Sequence, residues 1–558
     1  MRKRTVDSHD PTLGAAPGDL GQRMKRALPH LALVVCLLVF SVRAVTSMVQ
    51  ESATWDETHY FALGKYLLQH GAWNVSGSIL HPPFSYYVQS LPLLFVPTDS
   101  TVFHPIASPE SHLRLLAGVD GSDTIRGQVL LSSPLNHDDR LLTLSRLTMV
   151  FVALLLGCFV YLWSYSLYGA RSAVFAAVLF TFCPNMLAHA RLITPDIVLT
   201  TFSLLTVYFL WRLCRSPRLA YALLGGASLG LTLLSKFTGA LLVPVALLLV
   251  LLWWVKKGRP SLARVACFFA VGIVVLFLGY GLDLTPYVQG IRYQRELAGL
   301  GHPSFLLGSY SDAGWWYYVL ASIVMKTPLA VLAFVGISIV VFVGKVRSGA
   351  WIDEAFLLLP AIAFVAFFSF EHQATGLRYV LPIFPLLYVF SSRAVEALWS
   401  KATHVALFAA LGAWYLGASW YIHPHYLAYF NELAGGPSNG YRCLVDSNLD
   451  WGQDLKGLGR FMERNNIPRI RLSYFGSDSP QRYGIAYDWL PSVVLVNPSP
   501  EKKKRAYRHG WFAISATNLQ GVYFENKSLF AWLRDKEPVA RLGYSIFVYH
   551  VEGEDAEP

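Results

Sequence analysis

Two adjacent carboxylates, Asp56 and Glu57, lie in the stretch TWDETHY, just after the first long apolar run of the chain. Holding a carboxylate close to lipid costs free energy, so such a pair usually serves a function. A single carboxylate can act as a general base that takes the proton from an attacking hydroxyl. The same two acids could instead stabilise the N-terminus of the helix that begins there.

Further charged or polar side chains lie at the ends of other apolar runs. Arg191 and Asp196 lie in HARLITPD, Lys236 lies in LLSKFTG, Arg378 lies in EHQATGLRY, and His81 precedes two prolines. Cations at such positions can stabilise a phosphate group as negative charge builds on it. Simpler roles are a local Arg191–Asp196 ion pair, a snorkelling Lys236 and a turn at His81.

This set of side chains suits a reaction in which a phosphate departs. A phosphate is a weak base and leaves without being protonated, so one carboxylate base and several cations are sufficient. Hydrolysis of an ordinary glycoside instead requires two carboxylates with divided roles. We therefore expect a sugar carried on a polyprenyl phosphate as donor and an extracytoplasmic hydroxyl as acceptor, with inversion at the sugar carbon.

Membrane helices are the elements that must position these residues. Of the 558 residues, 54% are hydrophobic and 15% are charged, and the mean hydropathy is +0.41. Apolar runs long enough to span a bilayer recur from residue 31 to about residue 420. They predict a polytopic α-helical membrane protein with about eleven spans. Short β-rich runs alternate with helical stretches after that point and predict an α/β domain.

The predicted organisation has three parts. Residues 1–29 form a cytoplasmic tail, residues 30–421 form the membrane domain with a long outer loop at 49–140, and residues 422–558 form the extracytoplasmic domain. The amphipathic stretch 82–97 is short and is predicted to lie on the outer membrane surface.

Basic residues in short connections set the predicted orientation. They follow the positive-inside rule for cytoplasmic loops, at residues 2–4, 23–26, 212–218, 256–259 and 345–347. This explains much of the formal net charge of +11, so no nucleic-acid partner is predicted. The predicted location is the inner or plasma membrane, with a cytoplasmic N-terminus. All the candidate residues then fall at the outer ends of spans.

Five motifs, in register with the predicted span ends, resemble those of a known family. TWDETHY, HPPFSYY, ARLITPD, LSKFTGALLVP and GLRYVLPIFPLLYVF resemble the motif series of the GT-C membrane glycosyltransferases. The nearest branch is the protein O-mannosyltransferase and aminoarabinose transferase group, glycosyltransferase family 39 and its relatives. The resemblance covers residues from about 30 to about 420.

The resemblance implies roles for particular residues. Asp56, of the Asp56–Glu57 pair, acts at the reaction centre, and Asp196 is the acidic residue of the next outer loop. Lys236 contacts the donor phosphate, and we group Arg378 and Arg191 with it as cations for the phosphate. His81 is a candidate substrate contact.

One departure from the family pattern concerns a metal ion. The aminoarabinose enzymes carry an acidic metal ligand and a lysine before a proline, whereas Leu80 and His81 precede Pro82 here. A divalent metal is therefore unsupported, and no other cofactor is predicted.

Two other classes of protein remain alternatives. A transporter or flippase for a lipid-linked sugar would have inverted repeats and helices broken near mid-membrane. A binding or scaffold protein would need only the outer domain. The sequence names neither the sugar nor the acceptor, which could be protein Ser or Thr, a glycolipid or a polysaccharide.

Overall fold

The computed structural model describes residues 17–70, 79–98, 122–346, 351–371, 376–493 and 509–553. Up to residue 421 these ranges are mainly helical. Helices α1 to α18 are, in chain order, Pro17–Met48, Trp55–His70, Pro83–Ser90, Ser122–Ser132, Arg140–Tyr168, Ala170–Thr181, Pro184–His189, Pro195–Arg215, Leu219–Leu233, Leu242–Lys257, Leu262–Gly279, Thr285–Gly299, Tyr318–Lys326, Leu329–Val346, Ile352–Phe370, Ile383–Ser391, Ala394–Leu398 and Ala402–Tyr421.

Short 3-10 helices connect several of these elements. Two of them carry or adjoin site residues: Phe237–Leu241 begins directly after Lys236, and Leu377–Val380 contains Arg378. A third, Leu91–Leu94, follows α3. A short antiparallel hairpin, β1 (Ser304–Leu306) with β2 (Ser309–Ser311), lies between α12 and α13.

A five-stranded mixed sheet lies in the region where we expected an α/β domain. Its strands are β3 (Ile470–Ser473), β4 (Tyr487–Trp489), β5 (Gly510–Ser515), β6 (Ala540–Leu542) and β7 (Ile546–Val551), in the order β4-β3-β5-β7-β6. β3 pairs in parallel with β4 and β5, whereas β7 pairs antiparallel with β5 and β6. Helices α19 (Leu455–Arg464), α20 (Ala516–Gln520) and α21 (Ala531–Arg534) complete this region.

Six helices within the described ranges are long and apolar enough to cross a membrane. They are Ala27–Met48, Arg140–Tyr168, Pro195–Arg215, Phe237–Lys257, Leu262–Gly279 and Ile352–Phe370. Helices α13 and α14 would make a seventh if they form one span bent by 111°. The protein is therefore a multi-pass helical membrane protein, and the larger figure of about eleven spans stays a prediction.

Two shorter apolar helices explain part of that difference. α6 has 12 residues and α9 has 15, which is less than the length that a straight helix needs to cross the hydrocarbon core. The amphipathic stretch at 82–97 forms the 8-residue helix α3 and the following 3-10 turn, so it is also too short to span.

Side-chain contacts join helix ends that the sequence predicts on the cytoplasmic side. Trp211 of α8 donates from Nε1 to Asp353 of α15 at 2.7 Å. Ser164 of α5 lies 2.8 Å from Ser392, which follows α16. Trp211 lies near the C-terminal end of α8 and Asp353 at the N-terminal end of α15, so these two helices run in opposite directions. The other end of α8 carries Asp196, and Arg378 lies in the segment between the other end of α15 and the start of α16.

Candidate active site

Glu57 lies in the first turn of α2 and is completely buried. Arg146 of α5 donates from Nε to Oε1 at 2.8 Å, and the backbone N–H groups of Thr54 and Ile193 donate to its two oxygens at 2.8 and 3.0 Å. Burial alone raises the pKa of Glu57, but Arg146 and these hydrogen bonds outweigh it and lower the pKa. Glu57 is thus an ionised carboxylate that ties three parts of the chain together.

Asp56 faces a different environment from its neighbour. Its Oδ2 accepts a hydrogen bond from Arg378 Nη1 at 2.7 Å and a weaker one from Tyr60 at 3.4 Å. Its Oδ1 accepts no hydrogen bond from any residue that the structure describes. The side chain is 19% exposed. One oxygen of Asp56 is therefore available to a reactant.

Asp196 and Lys236 form a buried pair beside Asp56. Lys236 Nζ lies 2.8 Å from Asp196 Oδ1, and Arg378 Nη1 lies 3.9 Å from Asp196 Oδ2. Arg378 therefore lies between the two carboxylates. We call Asp56, Asp196, Lys236 and Arg378 the charged cluster. It contains two carboxylates and two cations, so its formal charges cancel.

Aromatic rings hold the two cations of the charged cluster. The Tyr379 ring centroid lies 4.4 Å from Lys236 Nζ and 5.2 Å from Arg378 Cζ, and the Trp451 centroid lies 4.2 Å from Arg378 Cζ. Such cation–π contacts stabilise a charge without neutralising it. The aromatic rings thus fix the positions of both side chains beside the two carboxylates.

His81 joins the cluster through Tyr60. His81 Nε2 lies 2.9 Å from the Tyr60 hydroxyl, which also contacts Asp56. Burial, followed by the charge of Lys236, lowers the pKa of His81 well below its ordinary value. Burial and the charge of Asp56 raise the pKa of Tyr60 well above its ordinary value. At neutral pH both side chains are therefore uncharged.

Several buried polar atoms on the cluster and its carrier segments have no hydrogen-bond partner within the described ranges. They are His81 Nδ1, His189 Nδ1, Thr194 Oγ1, Asp196 Oδ2, Thr238 Oγ1 and Arg378 Nε. Buried polar atoms in proteins almost always have partners, and each one left unpaired costs about 1–3 kcal/mol. These atoms are available to hydrogen-bond with a polar ligand.

Arg191 lies outside the charged cluster. Its two Nη atoms bind both oxygens of Glu51, with Nη2 at 2.9 Å from Oε1, and both side chains are buried. The local Arg191–Asp196 ion pair considered from the sequence does not form, because Asp196 pairs with Lys236 instead. Pairing with Glu51 leaves Arg191 with less capacity to bind a phosphate than Lys236 and Arg378 have.

The sequence motifs did not point to several residues that build the site. Arg146, Glu51, Tyr60, His189 and Trp451 contact or flank the candidate residues from other segments. Two of them lie inside quoted motifs: Tyr60 is in TWDETHY, four residues after Asp56 on a helix, and His189 is the first residue of HARLITPD. In the described part of the chain, no three His, Cys, Asp or Glu side chains are grouped as a metal ion requires.

Sequence comparison connects this chain with one family. Residues 141–280 match the family model described as dolichyl-phosphate-mannose-protein mannosyltransferase. The match confirms the resemblance to the protein O-mannosyltransferase group of GT-C glycosyltransferases. No curated protein matches the chain significantly in sequence.

Comparison with solved structures finds distant similarities. ArnT from Cupriavidus metallidurans in the apo state is similar over 92% of this chain and 97% of that chain, with 14% identity and a TM-score of 0.48. AglB from Archaeoglobus fulgidus, in complex with an inhibitory peptide and a dolichol-phosphate, covers 87% of this chain and 62% of its own, with 13% identity and a TM-score of 0.47. Identities of 13–14% and TM-scores below 0.5 carry no argument about individual residues. The roles of residues are therefore argued from the geometry of this chain.

Proposed function

We propose that this protein is a membrane glycosyltransferase that moves a sugar from a polyprenyl-phosphate carrier to an acceptor hydroxyl. The charged cluster is the observation that carries the proposal. It joins a half-buried carboxylate with one available oxygen to two buried cations, at the common end of several apolar helices. The family model that matches residues 141–280 is described by a donor of this class, dolichyl-phosphate-mannose.

Asp56 is the general base of the proposed reaction. Its Oδ1 takes the proton of the acceptor hydroxyl as that oxygen attacks the anomeric carbon of the sugar. The bond between that carbon and the phosphate oxygen breaks, and the electron pair leaves with the polyprenyl phosphate. Because attack and departure are on opposite faces, the sugar carbon is inverted.

Lys236 and Arg378 stabilise the departing phosphate. Preorganised cations in a buried site stabilise developing negative charge far better than solvated cations do. Tyr60 holds the second oxygen of Asp56, and His81 presents an uncharged ring whose Nδ1 is unpaired among the described residues. His81 is therefore better suited to hydrogen-bond with a hydroxyl of the sugar than to bind the phosphate.

The other two carboxylates have supporting roles in this proposal. Asp196 orients Lys236 through Oδ1, and its unpaired Oδ2 can accept a hydrogen bond from a substrate hydroxyl. Glu57 has no unsatisfied oxygen and fixes the start of α2. We accordingly assign proton transfer to Asp56 alone.

The transporter alternative has one observation in its favour, the 111° bend between α13 and α14. Broken helices are typical of transporters when they line a site near mid-membrane. Here Lys326, the last residue of α13, donates instead to the carbonyl of Leu427 at 2.7 Å. The bend between α13 and α14 is thus stabilised by a hydrogen bond within the protein. This favours a fixed bend over one that moves during transport.

The function is tested with purified protein in lipid nanodiscs, a panel of polyprenyl-phosphate sugars with the mannose carrier first, and a panel of acceptors that comprises a Ser/Thr peptide, a glycolipid and a polysaccharide. We expect release of polyprenyl phosphate that depends on the protein. A parallel assay in liposomes follows movement of the intact carrier from one leaflet to the other. Movement of the carrier without cleavage would establish the transporter and refute the glycosyltransferase.

A further inference from the structure

The segment that carries Asp56, residues 51–58, is bound by a part of the chain about 400 residues away. The N–H of Trp55 donates to the carbonyl of Trp451 at 2.8 Å, and the N–H of Ser52 donates to the carbonyl of Gln453 at 2.9 Å. In return, the N–H of Leu455 donates to Ser52 Oγ at 3.1 Å. These hydrogen bonds connect the segment that leads into α2 with the segment that leads into α19.

Ser477 contacts the first turn of α2 on both sides of Asp56. Its hydroxyl donates to the carbonyl of Trp55 at 2.7 Å and lies 2.7 Å from the hydroxyl of Thr58. These two residues flank Asp56 in the first turn of α2. Ser477 and Thr58 are both almost completely buried. The turn is therefore fixed at one residue before Asp56 and two residues after it.

The residues beside Ser477 strengthen this attachment. Asp478 Oδ2 accepts a hydrogen bond from the N–H of Ala53 at 3.1 Å. The Phe475 ring packs against the Trp55 ring, with 4.8 Å between their centroids. Residues 475–478 thus contact the Asp56 segment through a ring, a hydroxyl and a carboxylate.

The same distant region also positions Arg378, the partner of Asp56. Asn448 Oδ1 accepts a hydrogen bond from the N–H of Leu377 at 2.9 Å, and the Trp451 ring lies against the Arg378 guanidinium. Both members of the Asp56–Arg378 pair are thereby held from one side by residues 448–478. From the other side, Glu57 is held by Arg146.

We propose that Ser477 is a positioning residue that sets the direction of the Asp56 carboxylate. This inference rests on the proposed function, in which Asp56 is the base. Ser477 carries no charge and has its hydroxyl engaged by α2, so it acts through geometry. A displacement of about 1 Å at a reacting group can cost about 100-fold in rate, so a hydroxyl that fixes this turn should influence turnover strongly.

The test compares Ser477→Ala with Ser479→Ala in nanodiscs, with polyprenyl-phosphate mannose as donor. Ser479 is a matched control because its hydroxyl bonds to Gln481 within its own turn, at 2.7 Å. We expect kcat to fall about 10- to 100-fold in Ser477→Ala, with KM for the donor unchanged. Ser479→Ala should behave as the wild type. A normal kcat in Ser477→Ala would overturn the proposal.

A double variant separates positioning from general damage. Asp56→Asn removes the general base, so Ser477 no longer has a base to position. Adding Ser477→Ala to Asp56→Asn should therefore cause no further loss of turnover. A further loss equal to that of the single variant would mean that Ser477 acts independently of Asp56, and would overturn the proposal. Full turnover in Asp56→Asn would instead refute the proposed function itself.

A measurement without substrate covers the case in which Ser477→Ala folds poorly. Thr58→Val removes the partner hydroxyl from the other side of the same contact. Amide hydrogen exchange of residues 53–58 should be faster in Thr58→Val than in the wild type, and unchanged in Ser479→Ala. Exchange at the wild-type rate in Thr58→Val would show that this contact does not fix the turn, and would overturn the proposal.

Discussion

At Asp56 and Glu57, a single peptide bond separates two carboxylates with opposite surroundings. Successive residues of a helix point about 100° apart, so the first turn of α2 directs one carboxylate to the charged cluster and the other into the protein. Asp56 keeps one oxygen available, whereas both oxygens of Glu57 accept hydrogen bonds. The same turn thus serves the site and the fold.

Asp56→Asn should lower turnover by about 10²–10⁴, the usual contribution of a general base. The amide keeps the size of the side chain and can still accept a hydrogen bond from Arg378, but it cannot take a proton. Affinity for polyprenyl phosphate should not fall, because the lost charge repels phosphate. Turnover and lipid binding are measured on the same preparation. Asp488→Asn, at an exposed ion pair on β4, is the control, and a near-wild-type rate in Asp56→Asn would contradict the assignment.

Lys236→Ala should weaken binding of polyprenyl phosphate, whereas Lys236→Arg should retain part of the affinity because the charge survives. A charged hydrogen bond contributes about 1.5–3 kcal/mol, which corresponds to a loss of about 10- to 100-fold in affinity. Lys256→Ala, an exposed lysine at the opposite end of α10, should bind as the wild type does. Equal binding by Lys236→Ala and the wild type would exclude Lys236 from the phosphate site.

Asp454 should make stability depend on pH. It accepts a hydrogen bond from Ser545 at 2.7 Å, and burial raises the pKa of Asp454 to about 6. The unfolded value is about 3.9, so the folded state binds more protons between these two pH values. This contribution to stability is therefore present below about pH 4 and is lost as pH rises through about 6.

The measurement is the melting temperature in detergent at a series of pH values for the wild type and Asp454→Asn. Other carboxylates titrate in the same range, so the difference between the two proteins isolates Asp454. We expect the wild type to lose stability relative to the variant between about pH 4 and 6. A difference that is constant over this range would contradict the shifted pKa.

Among the elements, α2 and α5 are joined by the buried pair of Glu57 and Arg146. Removing one member of a buried ion pair costs about 3–5 kcal/mol because the other charge is left unpaired. Glu57→Gln should therefore lower the melting temperature markedly. Glu296→Gln, an exposed position on α12, should leave it unchanged. If Glu57→Gln is inactive while Asp56→Asn stays near the wild-type rate, the roles of Asp56 and Glu57 are reversed.

The charged motifs were easier to find in the sequence than the partners of those motifs. Positions such as Asp196 and Lys236 stand out because a charge interrupts or borders an apolar run, which is a local pattern. Arg146 and Glu51 were missed because their partners lie 89 and 140 residues away. No spacing rule links residues at such separations, so a single sequence carries no signal for these pairs.

Helix length was also harder to predict than helix position. The apolar runs predict helices of full span length, but α6 has only 12 residues and α9 only 15. Only two residues separate the end of α6 from Pro184, which begins the short helix α7. Hydropathy averages over such breaks, because it does not register where the backbone turns.

For the whole molecule, the loop charges predict which side of the membrane carries the site. A reporter fused after residue 430 should be active on the extracytoplasmic side, and one fused near residue 258 should be active in the cytoplasm. The positive-inside rule gives this orientation, and the contacts of Trp211 with Asp353 are consistent with a common end for the basic loops. The opposite pattern of activity would move the charged cluster to the cytoplasmic side and exclude an extracytoplasmic acceptor.

The separation of 419 residues between Thr58 and Ser477 has a consequence for biosynthesis. At about 5–20 residues per second, Ser477 leaves the ribosome roughly 20–80 s after Thr58. During that interval the first turn of α2 is already at the membrane without its partner. The hydrogen bonds from residues 448–478 to the segments of Asp56 and Arg378 form only after that later part of the chain has been made. Under the proposed function, we expect a chain truncated before residue 448 to turn over the lipid carrier far more slowly than the full chain.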